Sequence, residues 1–140
     1  MELISCKYFS LGSFDDAALK AKEDKLPLFV YIHDHKDKNW ENVDLNVLTD
    51  SLVQSKLKNN FICYGSNINS KDGKILKVKL DPPMIPYIGL FHVAQDNKLD
   101  YIGSLLGEES HADALLQALI LAEDMHSQLL ADNRMPNNPE

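Results

Sequence analysis

The spacing of apolar residues changes along the chain, and the changes mark the elements. Phe14, Ala17, Ala18 and Ala21 fall on one face of a helix. Ser13 followed by Asp16 reads as a capping box, in which an oxygen satisfies an orphan N–H and the acid favours the positive helix end. This predicts a helix over about 14–23. Leu28-Phe29-Val30-Tyr31-Ile32 is a continuous β-favouring run that suits a strand covered on both faces, and Pro27 marks its start. The polar stretch from Asp34 to Asn39 is a loop. Leu45, Leu48 and Leu52 return to helical spacing, and Ser51 with Gln54 offers a cap for a second segment carrying Leu57. Phe61-Ile62-Cys63-Tyr64 is the next strand. The unit from 28 to 64 is therefore strand, helix, strand, a crossover that makes its two strands parallel.

The stretch 65–85 is harder to read. Ser66 to Gly73 is turn-like, and Ile75 to Leu80, with Lys74, Lys77 and Lys79 interleaved, fits a short helix or an extended segment equally. Pro82-Pro83 and Pro86 stop regular structure. Tyr87 to Val93 is a strong strand. Gln95-Asp96-Asn97-Lys98 supplies a turn, and Leu99 to Ile102 alternates as a half-exposed strand, which makes an antiparallel hairpin. Ser110 with Asp113 caps a last helix carrying Ala112, Leu115, Leu116, Leu119, Met125 and Leu129, running to about 130. The fold class is α/β: a central mixed sheet, βαβ then ββα, flanked by helices. Residues 1–131 form one domain in this reading, and 132–140 a flexible tail or linker.

Composition narrows the function classes. With 140 residues, 44% of them hydrophobic, the chain can bury one core. A net charge of -7 repels phosphate and argues against a general nucleic-acid binder. Glu2 follows the first residue at once, unlike a signal peptide, and the apolar runs near 26–32 and 85–91 are too short to span a bilayer. A cytoplasmic protein is expected, with the nucleus or the cytosolic face of the endoplasmic reticulum as alternatives. Cys6 and Cys63 both sit among apolar residues, as buried reduced thiols do.

The order of elements, with Met84-Ile85-Pro86-Tyr87 just before the third strand, resembles the thioredoxin fold. Further motifs are Gly12 to Ala17, Lys25 to His33, Asn60 to Tyr64, Ile85-Pro86-Tyr87-Ile88, Ile102-Gly103 and the Leu-rich final helix. Over about 10–130 this detail is similar to the UAS domain, the thioredoxin-like module of ubiquitin-regulatory UBX proteins. The resemblance implies a cis peptide at Pro86. It also implies a non-catalytic protein-interaction module of a UBX-type adaptor in ubiquitin-dependent degradation. In that family the AAA ATPase and the ubiquitin machinery are reached through other domains, none of which lies within these residues. Some members bind long-chain unsaturated fatty acids and self-associate.

Thioredoxin chemistry needs an attacking thiolate and a resolving thiol two residues on. The matching window, Lys36-Asp37-Lys38-Asn39, has no sulfur. The expectation is therefore a redox-inactive protein that is not an enzyme, with no catalytic residue, cofactor or metal. Two alternatives stand beside it: a divergent oxidoreductase using the single cysteine Cys63, and a spacer domain with no ligand. His33-Asp34-His35 offers zinc-type ligands but lacks a recognisable third, while His92, His111 and His126 are scattered. Gly103 and Gly107 match no phosphate-loop fingerprint, and no serine lies in a nucleophile elbow. Lys71, Lys74, Lys77 and Lys79 concentrate positive charge on an acidic chain and form a candidate ligand patch. Trp40 and Tyr31 are candidate partner anchors.

Overall fold

The computed structural model describes residues 9, 12–34, 36, 47–106 and 111–134. In chain order these give α1 (Phe14–Asp24), β1 (Leu28–His33), α2 (Ser51–Asn60), β2 (Ile62–Asn67), α3 (Lys71–Leu80), β3 (Tyr87–Val93), β4 (Leu99–Leu106) and α4 (Ala112–Arg134). The sheet order is β2-β1-β3-β4. β1 pairs parallel with β2 from Leu28↔Ile62 to His33↔Asn67, and antiparallel with β3. β3 and β4 form the antiparallel hairpin, with a register shift between Leu90 and Phe91.

Strand alternation divides the core in two. Phe29, Tyr31, Cys63, Ile88, Leu90, Ile102 and Leu105 face Val53 and Leu57 of α2 and Leu115, Leu119 and Ala122 of α4. Leu28, Val30, Ile32, Ile62, Tyr64, Tyr87, Phe91 and Val93 face Phe14, Ala17 and Ala21 of α1 and Leu76 of α3. Every residue of β1 is buried, which is why its sequence reads as an unbroken apolar run rather than an alternating one.

The helix ends follow their capping chemistry. The Ser13 hydroxyl accepts from Asp16 N at 3.1 Å, and the Asp16 carboxylate accepts from Ser13 N at 3.3 Å. α1 ends at Lys25, whose φ of 59° is left-handed. α2 is capped by Asp50, not by Ser51: its Oδ2 accepts from Leu52 N and Val53 N, both at 3.2 Å. An aspartate satisfies two orphan donors here, so the helix begins where the carboxylate stands.

The stretch 65–85 resolves as strand and helix. β2 continues to Asn67 because β1 offers a pairing partner along its whole length, so the turn expected over Ser66 to Gly73 is confined to residues 68–70. Ser70 then caps α3, accepting from Gly73 N at 3.0 Å. Gly73 and Leu76 are the buried face of this helix, and the lysines are its solvent side. α4 runs to Arg134, beyond the end expected near 130. Ser110, Trp40, Leu45 and the tail after Arg134 lie outside the described residues.

Gly73 reverses an ordinary rule. Alanine inside a helix is worth roughly 0.5–1 kcal/mol over glycine. At position 73, however, a Cβ would collide with the carbonyl oxygen of Asn67. Gly73→Ala is therefore expected to destabilise the protein by about 1–3 kcal/mol. Thermal unfolding followed by circular dichroism checks this, and a midpoint equal to or above wild type would show that α3 does not pack so closely.

Candidate functional site

β1 stops at the end of the sheet where β3 begins, and the connecting segments there are held by side chains. Ile68 N donates to His33 O at 2.7 Å, tying the turn after β2 to the last residue of β1. Asp34 Oδ1 accepts from Lys36 N and from Asn69 Nδ2, both at 2.9 Å. Asn67 Oδ1 accepts from Asn69 N at 3.0 Å, and Ser70 Oγ donates to Asn67 O at 2.7 Å. This Asx-turn network fixes the start of α3 against the end of β1. At its far end α3 stops on Asp81, with φ 49° and its N–H on Lys77 O at 2.9 Å. Residues 82–86 then return without regular structure, and the Ile85–Pro86 peptide is cis.

Between these segments lies a groove of about 480 Å³. It is lined by Asp34, Ile68, Asn69, Lys74, Lys77 and residues 82–85. Its apolar lining is Ile68, Pro82, Pro83, Met84 and Ile85, and Met84 is 50% exposed. Its charged lining is Lys74, Lys77 and Asp34. The arrangement can hold an extended chain that buries apolar side chains and presents a carboxylate.

The structure divides the four lysines. Lys74 and Lys77 line this groove. Lys79 turns away, its Nζ 5.5 Å from the centre of the Phe14 ring, a cation–π contact on another face of the molecule. Lys71 is exposed in the first turn of α3 and does not line the groove. The single patch expected from the sequence is thus corrected, because helical geometry sends Lys79 to a different side. Tyr31 is fully buried in the core and is no partner anchor. Trp40 and His35 lie outside the described residues. His33 is buried, its ring 5.1 Å from that of Tyr31. Among the described residues no three His, Cys, Asp or Glu side chains gather to hold a metal ion. No helix among them is long and apolar enough to cross a membrane.

Cys63 is 2% exposed, with its Sγ 3.7 Å from Leu57 O. Burial pushes its thiol far above the ordinary range, because the thiolate would lose its hydration with no opposite charge nearby. Cys6 lies outside the described residues.

One polar cluster escaped the sequence reading. His92 of β3 and His126 of α4 are buried, with their Nδ1 atoms 2.9 Å apart, and His126 Nε2 is 2.9 Å from Lys25 O. Burial is the main cause lowering the proton affinity of both rings. The two histidines are far apart in sequence, but a signal existed. His126 falls one helical turn after Ala122 and two after Leu119, on the buried stripe, and His92 shares the inward face of Ile88 and Leu90.

No family model matches the chain, and no curated relative matches it. Solved structures do. A thioredoxin from Thermus thermophilus superposes with a TM-score of 0.70 at 16% identity, over 89% of this chain and 95% of that one. The chain has a thioredoxin-like fold. A DsbH oxidoreductase gives 0.65 at 13% identity over 89% and 91%. A Bacteroides thetaiotaomicron protein assigned as a disulphide-isomerase gives 0.63 at 21% identity over 82% and 92%.

The expectation that the chain is not an enzyme is corrected to this extent: the thioredoxin, the DsbH oxidoreductase and the protein assigned as a disulphide-isomerase share its fold, so a sulfur-free window at 36–39 does not by itself exclude an enzyme.

The burial of Cys63 makes a prediction of its own. At pH 7.5 its alkylation by iodoacetamide, followed peptide by peptide in a mass spectrometer, should be at least about a thousandfold slower in the native chain than in denaturant. A native rate within tenfold of the denatured rate would mean that the thiol is open to solvent.

Proposed function

We propose that this thioredoxin-like protein acts on polypeptides, taking an extended segment into the groove between the end of β1, α3 and residues 82–85. The observation that carries the reading is a groove of about 480 Å³ whose lining combines Ile68, Pro82, Pro83, Met84 and Ile85 with Lys74 and Lys77, beside the single carboxylate of Asp34. A carboxylate on the bound segment meets the lysines, and its apolar neighbours lie against Pro82, Pro83, Met84 and Ile85.

The neighbours favour a second, compatible reading, a single-cysteine oxidoreductase. In that reaction the Cys63 thiolate attacks one sulfur of a partner disulfide. The partner's S–S bond breaks, a mixed disulfide forms, and the other partner sulfur leaves as thiolate. A small thiolate from solution then attacks Cys63 Sγ, the Cys63–partner bond breaks and the partner leaves as its second thiolate. A second small thiol attacks the resulting Cys63–small-thiol disulfide, frees the Cys63 thiolate and leaves as the small-molecule disulfide. As Cys63 stands under α2 and α4, the step requires local opening of one of these helices.

A finer adaptor role rests on the UAS-like motifs of the sequence alone. In that version the AAA ATPase and ubiquitin machinery are reached through regions outside this chain, and an unsaturated fatty acid meets the lysine-bearing helix.

The test uses the full chain and reduced, carboxymethylated α-lactalbumin, a permanently unfolded acidic polypeptide, as probe. Binding is read by fluorescence anisotropy at low salt. Lys74→Glu with Lys77→Glu should weaken it about tenfold, and Met84→Asp by a similar factor, while Lys58→Glu on α2 leaves it unchanged. Equal loss in all three variants, or no binding by wild type, overturns the groove. For the second reading, insulin reduction by the chain with glutathione should disappear in Cys63→Ser. Activity that survives that substitution takes the chemistry away from Cys63.

A further inference from the structure

The contacts of His126 fix the protons of the buried pair. Lys25 O can only accept, so His126 Nε2 carries a hydrogen. In a neutral ring its Nδ1 is then an acceptor, and the hydrogen between the two Nδ1 atoms belongs to His92. The pair thus joins three elements: β3 through His92, α4 through His126, and the left-handed C-cap of α1 through the Lys25 carbonyl. The side of the pair facing β4 holds Asp100, directly across from His92 in the hairpin register and favourable to a charge on that ring. The Lys25 carbonyl likewise favours a charge on His126, and against both stand burial of the two rings, the larger effect, and the repulsion His126 exerts on His92.

We infer that His92 and His126 form a proton-operated latch that holds the C-terminal half of α4 against β3 and the end of α1, and that acid releases it.

One proton places a cation in a buried site. A second leaves both Nδ1 atoms bearing hydrogens across a 2.9 Å contact, which cannot then persist. The closed state is therefore the proton-poor one. Protons accumulate on the open state as pH falls below the ordinary histidine value of 6.5, so the stability the latch contributes is complete above that value and is lost below it. Release uncovers Leu129, which packs on the core from this part of the helix.

The experiment is hydrogen exchange with mass spectrometry on the full chain at pH 7.5 and 5.5, corrected for the chemical exchange rate. Protection over 123–134 should fall between about tenfold and a hundredfold, the upper figure being the limit for two histidines that titrate only when open. Protection over β1 and the slow alkylation of Cys63 should hold, which separates release of α4 from global unfolding. In the double variant His92→Asn with His126→Gln, side-chain amides replace the two donors and do not titrate, and the pH response should vanish. Protection over 123–134 that does not change with pH, or an undiminished response in the variant, overturns the latch. Should the variant not fold, nitrogen NMR of the wild-type rings decides. A hydrogen on Nδ1 of His92 and on Nε2 of His126 at pH 7.5 supports the latch, and two rings titrating independently near 6.5 refute it.

Discussion

Burial of β1 on both faces, between a parallel and an antiparallel neighbour, is the constraint on which the rest of the molecule depends. A strand packed on both faces cannot slip by one residue without exchanging its own side chains between two differently shaped halves of the core. Its register fixes β2 and β3. Those fix which face Phe29 and Tyr31 share with α2 and α4, and which face Leu28, Val30 and Ile32 share with α1 and α3. The groove is a by-product of the same constraint, since it lies where β1 stops and the chain must leave the sheet.

Chemistry on this fold is decided by what the loops at that end present. Among the described residues this end presents the carboxylate of Asp34, the carboxamide of Asn69 and, from α3, Lys74 and Lys77. The architecture is shared with disulfide oxidoreductases, while the described thiol sits in the hydrophobic interior. Polypeptide recognition and thiol exchange therefore make different demands on the chain. The first uses a surface that already exists, and the second needs a helix to move.

Much of the fold was legible because local signals and tertiary packing agree. The capping box at Ser13, the unbroken run from Leu28 to Ile32 and the turn residues between Val93 and Leu99 each have one physical reading. The stretch 65–85 was opaque for a definite reason. Alternating Lys and apolar residues satisfy neither period well, and what makes α3 a helix is its cap at Ser70 and the seat of Leu76 against the sheet, which is tertiary information. The division of the lysines was hidden in the same way, since it needs the helix. The groove itself joins residue 34 to residues 82–85, a juxtaposition that no local pattern encodes. The histidine pair was partly readable from the buried stripe of α4, but only a structure brings the two Nδ1 atoms together.

The absence of a side chain at Gly73 reaches beyond α3. Because backbone lies directly on backbone there, the distance of α3 from the turn at Asn67 is set to the minimum that atoms allow. Lys74 follows immediately on the same helix, so the breadth of the groove inherits this gauge. Charge on the groove wall and width of the groove are therefore controlled by different positions. In a divergent descendant the width of this groove can drift through residue 73 while the charge beside it stays with residues 74 and 77.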